Sequence, residues 1–96
     1  MVDRIVERFK PTRIILFGSQ ARGDTDDSSD VDLMVVLSHI PNKYQTAAEI
    51  RSSLRDVPIS KDIIVITPGE IEEEGDVIGT LAYEALQEGR IMYEKN

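Results

Sequence analysis

The apolar residues change their period from one stretch of the chain to the next, and each period predicts an element. Val2, Ile5, Val6 and Phe9 recur at helical spacing, and Pro11 ends that helix because its ring cannot continue one. Residues 12–17, TRIILF, are β-branched and aromatic and read as a buried strand. Gly18-Ser19 breaks the strand, and Gln20-Ala21-Arg22 fits one helical turn before Gly23. Residues 24–30, DTDDSSD, form a polar loop, and 31–37, VDLMVVL, a second strand. Pro41-Asn42 marks a turn into a helix over 43–55, with Tyr44, Ala47, Ala48 and Leu54 as inner positions. Val57-Pro58 leads to a third strand at 62–67, DIIVIT. Pro68 suits the first turn of a short helix capped by Thr67. Val77, Ile78, Leu81, Ala82, Ala85 and Leu86 make an apolar stripe on a further helix, with Gly89 as its natural C-terminal cap. RIMYE, 90–94, reads as a last short strand.

Connection lengths turn these elements into a topology. A tight turn and loop join strands one and two, which suits antiparallel neighbours, while a helical crossover joins strands two and three, which suits a parallel pair. The predicted class is α/β (α+β), a small mixed sheet with helices packed against it. In that arrangement the end of strand one and the starts of strands two and three meet at one sheet edge. Gly18-Ser19, Asp30/Asp32 and Asp62 are then neighbours.

Composition narrows the function. The 96 residues fit a single domain, 1–96, with 41% hydrophobic residues to build a core. Neither a repeat nor a low-complexity segment interrupts it. Eleven basic residues against 18 acidic ones leave a net charge of −7, which argues against long nucleic acid as the primary ligand. Small phosphorylated ligands remain open, because a metal ion supplies the missing positive charge. The acidic surface also suits a basic protein partner, and a homo-oligomer is compatible with it. With no cysteine, disulfides, thiolate catalysis and cysteine zinc sites are excluded. The single histidine, His39, reads as a loop residue. No run approaches the ~20 apolar residues of a membrane span, and MVDRIVERFKP has no signal-peptide core. A soluble cytoplasmic protein is expected.

The candidate chemistry lies in three short stretches. On a strand, Asp30 and Asp32 face the same side about 6–7 Å apart, and two such carboxylates repel unless a cation sits between them. Magnesium takes oxygen ligands and is commonly shared between carboxylates and substrate phosphates. Taken alone, such a pair reads first as a solvent-facing strand start. Gly18 lets backbone amides approach phosphate, Ser19 adds a hydroxyl, and Arg22 either contacts phosphate or supports the loop. Asp62 could complete a second metal position or act as general base on an acceptor hydroxyl. Tyr44, Tyr83 and Tyr93 read as packing residues, and the run Glu70, Glu72, Glu73, Glu74 and Asp76 as a solvated face.

Gly18-Ser19-Gln20-Ala21-Arg22-Gly23, an acidic loop and Ser29-Asp30-Val31-Asp32-Leu33 together resemble the signature of the MNT-type nucleotidyltransferases, within the DNA polymerase β-like superfamily. The strand at Asp62, Pro68-Gly69-Glu70 and Gly89-Arg90-Ile91-Met92-Tyr93-Glu94 are similar to that family too. The one departure is a first helix that looks short. The resemblance implies the polymerase β-like fold, ATP as substrate, and Mg2+ (two ions) with nucleotide at Gly18, Ser19, Asp30, Asp32 and Asp62. It also implies a role as the antitoxin of a HEPN-domain ribonuclease toxin, either by adenylylating it or by binding alone. The expected reaction is attack by an acceptor hydroxyl on the α-phosphate, with pyrophosphate leaving.

Overall fold

The computed structural model describes residues 1–18, 31–58 and 61–95. Its elements, in chain order, are α1 (Val2–Phe9), β1 (Arg13–Phe17), β2 (Val31–Val36), α2 (Lys43–Ser53), β3 (Lys61–Ile66), α3 (Pro68–Glu74), α4 (Leu81–Glu88) and β4 (Arg90–Glu94). The sheet order is β3-β2-β1-β4. β1 pairs antiparallel with β2 and β4, and β2 pairs parallel with β3. The mixed sheet and its parallel pair are those expected from the connection lengths.

Both faces of the sheet are covered. On one, α1 and α2 bring Ile5, Ile50 and Leu54 onto Ile14, Leu33, Val35, Ile63 and Val65. On the other, Ile71 of α3 and Ala82 and Ala85 of α4 pack on Ile15, Phe17, Met34, Val36 and Ile66. Leu33, Met34, Val35 and Val36 of β2 are therefore all buried, as a central strand's continuous apolar run requires.

Local chemistry sets the boundaries. Lys10 ends α1 in a left-handed conformation just before Pro11. Asn42 caps α2 by accepting from the Gln45 amide at 2.9 Å. Thr67 and Glu70 form a reciprocal capping box at α3, with Pro68 in its first turn. Lys43 pairs with the same Glu70, so that acid is structural while Glu72, Glu73, Glu74 and Asp76 stand in solvent. Arg4 of α1 pairs with Asp56 and donates to the Ser53 carbonyl, tying α1 to the end of α2.

Four expectations need correction. The stripe from Val77 to Leu86 is not one buried helix face. Thr80 caps α4 by accepting from the Tyr83 amide at 3.1 Å, and the preceding Gly79 has a φ of +100°. The helix therefore starts at Leu81. Only Ala82 and Ala85 are buried, whereas Ile78 is 81% and Val77 51% exposed. Tyr44 is not an inner residue of α2, being 84% exposed, while Ile50 takes the buried place. The second helix stops at Ser53 and turns through Leu54. Glu70 does not share the solvated face of its acidic neighbours, because it bonds Thr67 and Lys43. Gly89, by contrast, caps α4 as expected, in an extended conformation, and a Cβ there would sit 2.2 Å from the Ala85 carbonyl oxygen and 2.6 Å from Ile15 Cγ2.

Two stability predictions follow from this packing. Ile50→Ala should lower the free energy of unfolding by about 2–5 kcal/mol, whereas Leu86→Ala on the exposed side of α4 should change it by less than about 1 kcal/mol. Urea titration of both variants measures the difference, and equal losses would contradict the exposed position of Leu86. The Lys43 hydrogen bond to Glu70, with those of Thr67, lowers the Glu70 pKa, and the Arg4 hydrogen bond lowers that of Asp56. Folded values below the unfolded ones add stability above the ordinary carboxylate value and lose it as pH falls through the folded values. Melting temperature should therefore drop below about pH 4, less steeply in a Glu70→Gln/Asp56→Asn variant. Both pairs are exposed, so the difference should be modest.

Candidate active site

The strand register brings the predicted aspartates together. Asp32 of β2 is the direct partner of Phe17 of β1 on one side and of Asp62 of β3 on the other. Register partners on adjacent strands project to the same face, with backbones about 4.8 Å apart. Asp32 alternates with Met34 and Val36, and Asp62 with Ile64 and Ile66. Both aspartates thus belong to the face carrying α3 and α4. α3 leaves from the end of β3 opposite Asp62, while α4 runs back to β4, whose Arg90 pairs with Leu16. Asp62 is exposed and Asp32 half-buried.

Gly18 completes the described part of the site. It follows Phe17, is buried, and has a φ of +80°. An added Cβ would sit 2.3 Å from Asp32 Oδ2. The glycine backbone therefore lies against the Asp32 carboxylate, in a place and a conformation that both disfavour a side chain. Asp30, Ser19 and Arg22 lie outside the described residues. Among the described residues no group of three or more metal-ligating side chains gathers anywhere. The two carboxylates that share a row are hard oxygen donors on one face, and that chemistry fits a magnesium ion bound together with phosphate.

One supporting contact carried no signal in the sequence. Lys61 Nζ donates to the Val57 carbonyl at 2.9 Å, fastening the start of β3 immediately before Asp62. A lysine ahead of a strand is ordinary, and only the fold shows which carbonyl it meets. His39 is exposed, as expected of a loop residue, and Tyr83 and Tyr93 are half-buried, as packing residues should be. No helix among the described residues is long and apolar enough to cross a membrane.

Comparison with known proteins bears on the family and the fold. A Methanocaldococcus jannaschii protein named a "putative protein adenylyltransferase" is 38% identical over 56 residues, which is 58% of this chain and 56% of that one. The match thus spans about half of that relative's length. The fold is shared with a crystal structure of a "putative nucleotidyltransferase" from Sulfolobus solfataricus, at a TM-score of 0.61 and 22% identity over 98% of this chain and 74% of the other. It is shared as well with a toxin–antitoxin structure containing AMP-PNP, at a TM-score of 0.60 and 16% identity over 99% of this chain and 71% of the other. The profile of the polymerase β nucleotidyltransferase family matches residues 2–96, and with a match across nearly its whole length the chain belongs to that family.

Proposed function

We propose that this domain transfers a nucleotide, AMP from ATP, onto a hydroxyl of a protein partner. The observation that carries the proposal is the row Phe17–Asp32–Asp62, with Gly18 folded against Asp32. Asp32 and Asp62, joined by Asp30 two residues upstream of Asp32, would hold magnesium. Bound there, magnesium neutralises charge on the triphosphate and on the leaving pyrophosphate. The Gly18 amide and the Ser19 hydroxyl, supported by Arg22, receive the β- and γ-phosphates. The acceptor oxygen bonds to the α-phosphorus as the bond to pyrophosphate breaks, and the acceptor proton passes to the Asp62 carboxylate. Such a reaction needs mainly positioning and charge neutralisation, so a few residues suffice.

A protein acceptor is supported by the name of the Methanocaldococcus relative and by the same fold in a toxin–antitoxin assembly. The family signature points to a HEPN-domain ribonuclease as that partner, with this chain as its antitoxin in the cytoplasm.

Three measurements test the proposal. Calorimetry with ATP and magnesium should show binding that Asp30→Asn/Asp32→Asn abolishes, while the variant melts no lower than the parent because like-charge repulsion is relieved. Equal affinity in the two proteins would sink the assignment. Asp62→Ala should slow transfer of labelled AMP to the protein encoded by the neighbouring gene by about 100-fold or more, with far less effect on ATP affinity. Neutralisation of that protein with no label transferred would support the alternative, an antitoxin that acts by binding alone. Gly18→Ala should weaken magnesium–ATP binding by displacing the Asp32 carboxylate, as calorimetry on the folded variant would show. Unchanged affinity would mean that the carboxylate has room to move.

A further inference from the structure

The periodicity from Val77 to Leu86 is that of a buried helix face, yet most of it is bare. Val77 is 51%, Ile78 81%, Leu81 49% and Leu86 42% exposed. The exposure is built in. Thr80 Oγ1 donates to the Glu74 and Val77 carbonyls at 2.9 Å and caps α4 through the Tyr83 amide. Those bonds hold the α3–α4 connection in a shape that turns Val77 and Ile78 outward. Leu86 also borders a cleft of about 630 Å³, whose walls include Pro68, Ile71, Glu72 and Asp76. Among the described residues, Gly18, Asp32 and Asp62 do not line this cleft.

Charge decides what could cover the patch. Glu72, Glu73, Glu74 and Asp76 are all exposed on α3 and just beyond it. Arg13, on the cleft's other wall, is engaged with Glu94 at 3.3 Å. A second copy of the chain would bring a net charge of −7 and the same acidic rim against this one, which repels. Strand addition at β4 is disfavoured too, because the ladder with β1 is irregular between Ile14 and Ile15 and passes over Met92. Bulged edges resist further pairing.

We propose that the α3–α4 connection, the outer side of α4 and the adjoining cleft dock a protein partner through apolar side chains ringed by lysine or arginine. Apolar contact supplies the affinity, and the acidic rim selects the partner and speeds encounter. The inference rests on the preceding reading only in identifying that partner with the acceptor. Docking there would hold the acceptor by a surface separate from the aspartate row.

The probe is a synthetic amphipathic helix with leucines at helical spacing and lysines flanking them, with a control in which every lysine is glutamate. Titrated into 15N-labelled protein, the basic peptide should give saturable amide shifts at Asp76, Val77, Ile78, Leu81 and Leu86, and the acidic control none. Ile78→Ser/Leu86→Ser, at exposed positions, should weaken binding of the basic peptide about tenfold or more, while magnesium–ATP affinity stays at the parent value. Shifts that gather on residues 24–30 instead, an equal response to the acidic control, or undiminished binding by the variant would overturn the proposal. Peptide docking without any ATP binding by the parent would count against the proposed transferase activity and leave the docking surface standing.

Discussion

The pairing of β2 with its two neighbours is the constraint from which the rest of the molecule follows. Leu33, Met34, Val35 and Val36 are apolar on both faces, so a slip of one residue along β1 and β3 would still bury apolar side chains. What makes the slip costly is Asp32. Moved by one position it would turn to the opposite face, among Ile5, Ile14, Ile50 and Leu54. An unpaired carboxylate there would cost several kcal/mol. The residue assigned to the chemistry is thus also the one that penalises the wrong register. In the observed register Asp32 stands opposite Asp62, and the site is formed by the same pairing that forms the sheet.

The two faces divide the labour differently. Branched side chains from α1 and α2 cover one face, with Ile5, Ile50 and Leu54 wholly buried. The other is covered by shorter helices, and α4 approaches through Ala82 and Ala85, where small side chains allow close contact. Gly89 tightens that contact further, since its backbone meets both the Ala85 carbonyl and Ile15. On this side Ile64 is only half-buried and Asp62 is exposed.

Most of the fold could be read from local pattern because local rules and tertiary packing agree in it. The strand runs, the Thr67 cap and the parallel pair implied by the crossover each followed from a handful of neighbouring residues. Mistakes arose where a periodic pattern lacked the structure it implied. Val77 and Ile78 continue the stripe of α4 backward, but Gly79 and Thr80 stop the helix first, and a period count does not weigh a cap. Tyr44 sits at a helical inner position yet in the first turn of α2, and the sheet is met further along, at Ile50. Gly89 caps α4 as expected, and its lack of volume, which only the neighbouring Ile15 reveals, is needed as well. At the candidate site, Gly18, Asp32 and Asp62 converge as the topology implies, and the Lys61 tether was invisible because its acceptor is a backbone carbonyl.

Stability and chemistry are separated by a single step along two strands. The apolar cluster under α1 and α2 begins at Leu33 and Ile63, each the residue directly after a site aspartate. Replacing either aspartate by a neutral residue of similar size leaves that cluster untouched and removes repulsion between carboxylates in one row. Like charges held in one row oppose each other. Were a cation held between them, as proposed, the sign of that interaction would reverse and ligand binding would raise folding stability. An overall charge of −7 acts in the same direction, since it leaves a bound cation as the positive element that a triphosphate would meet.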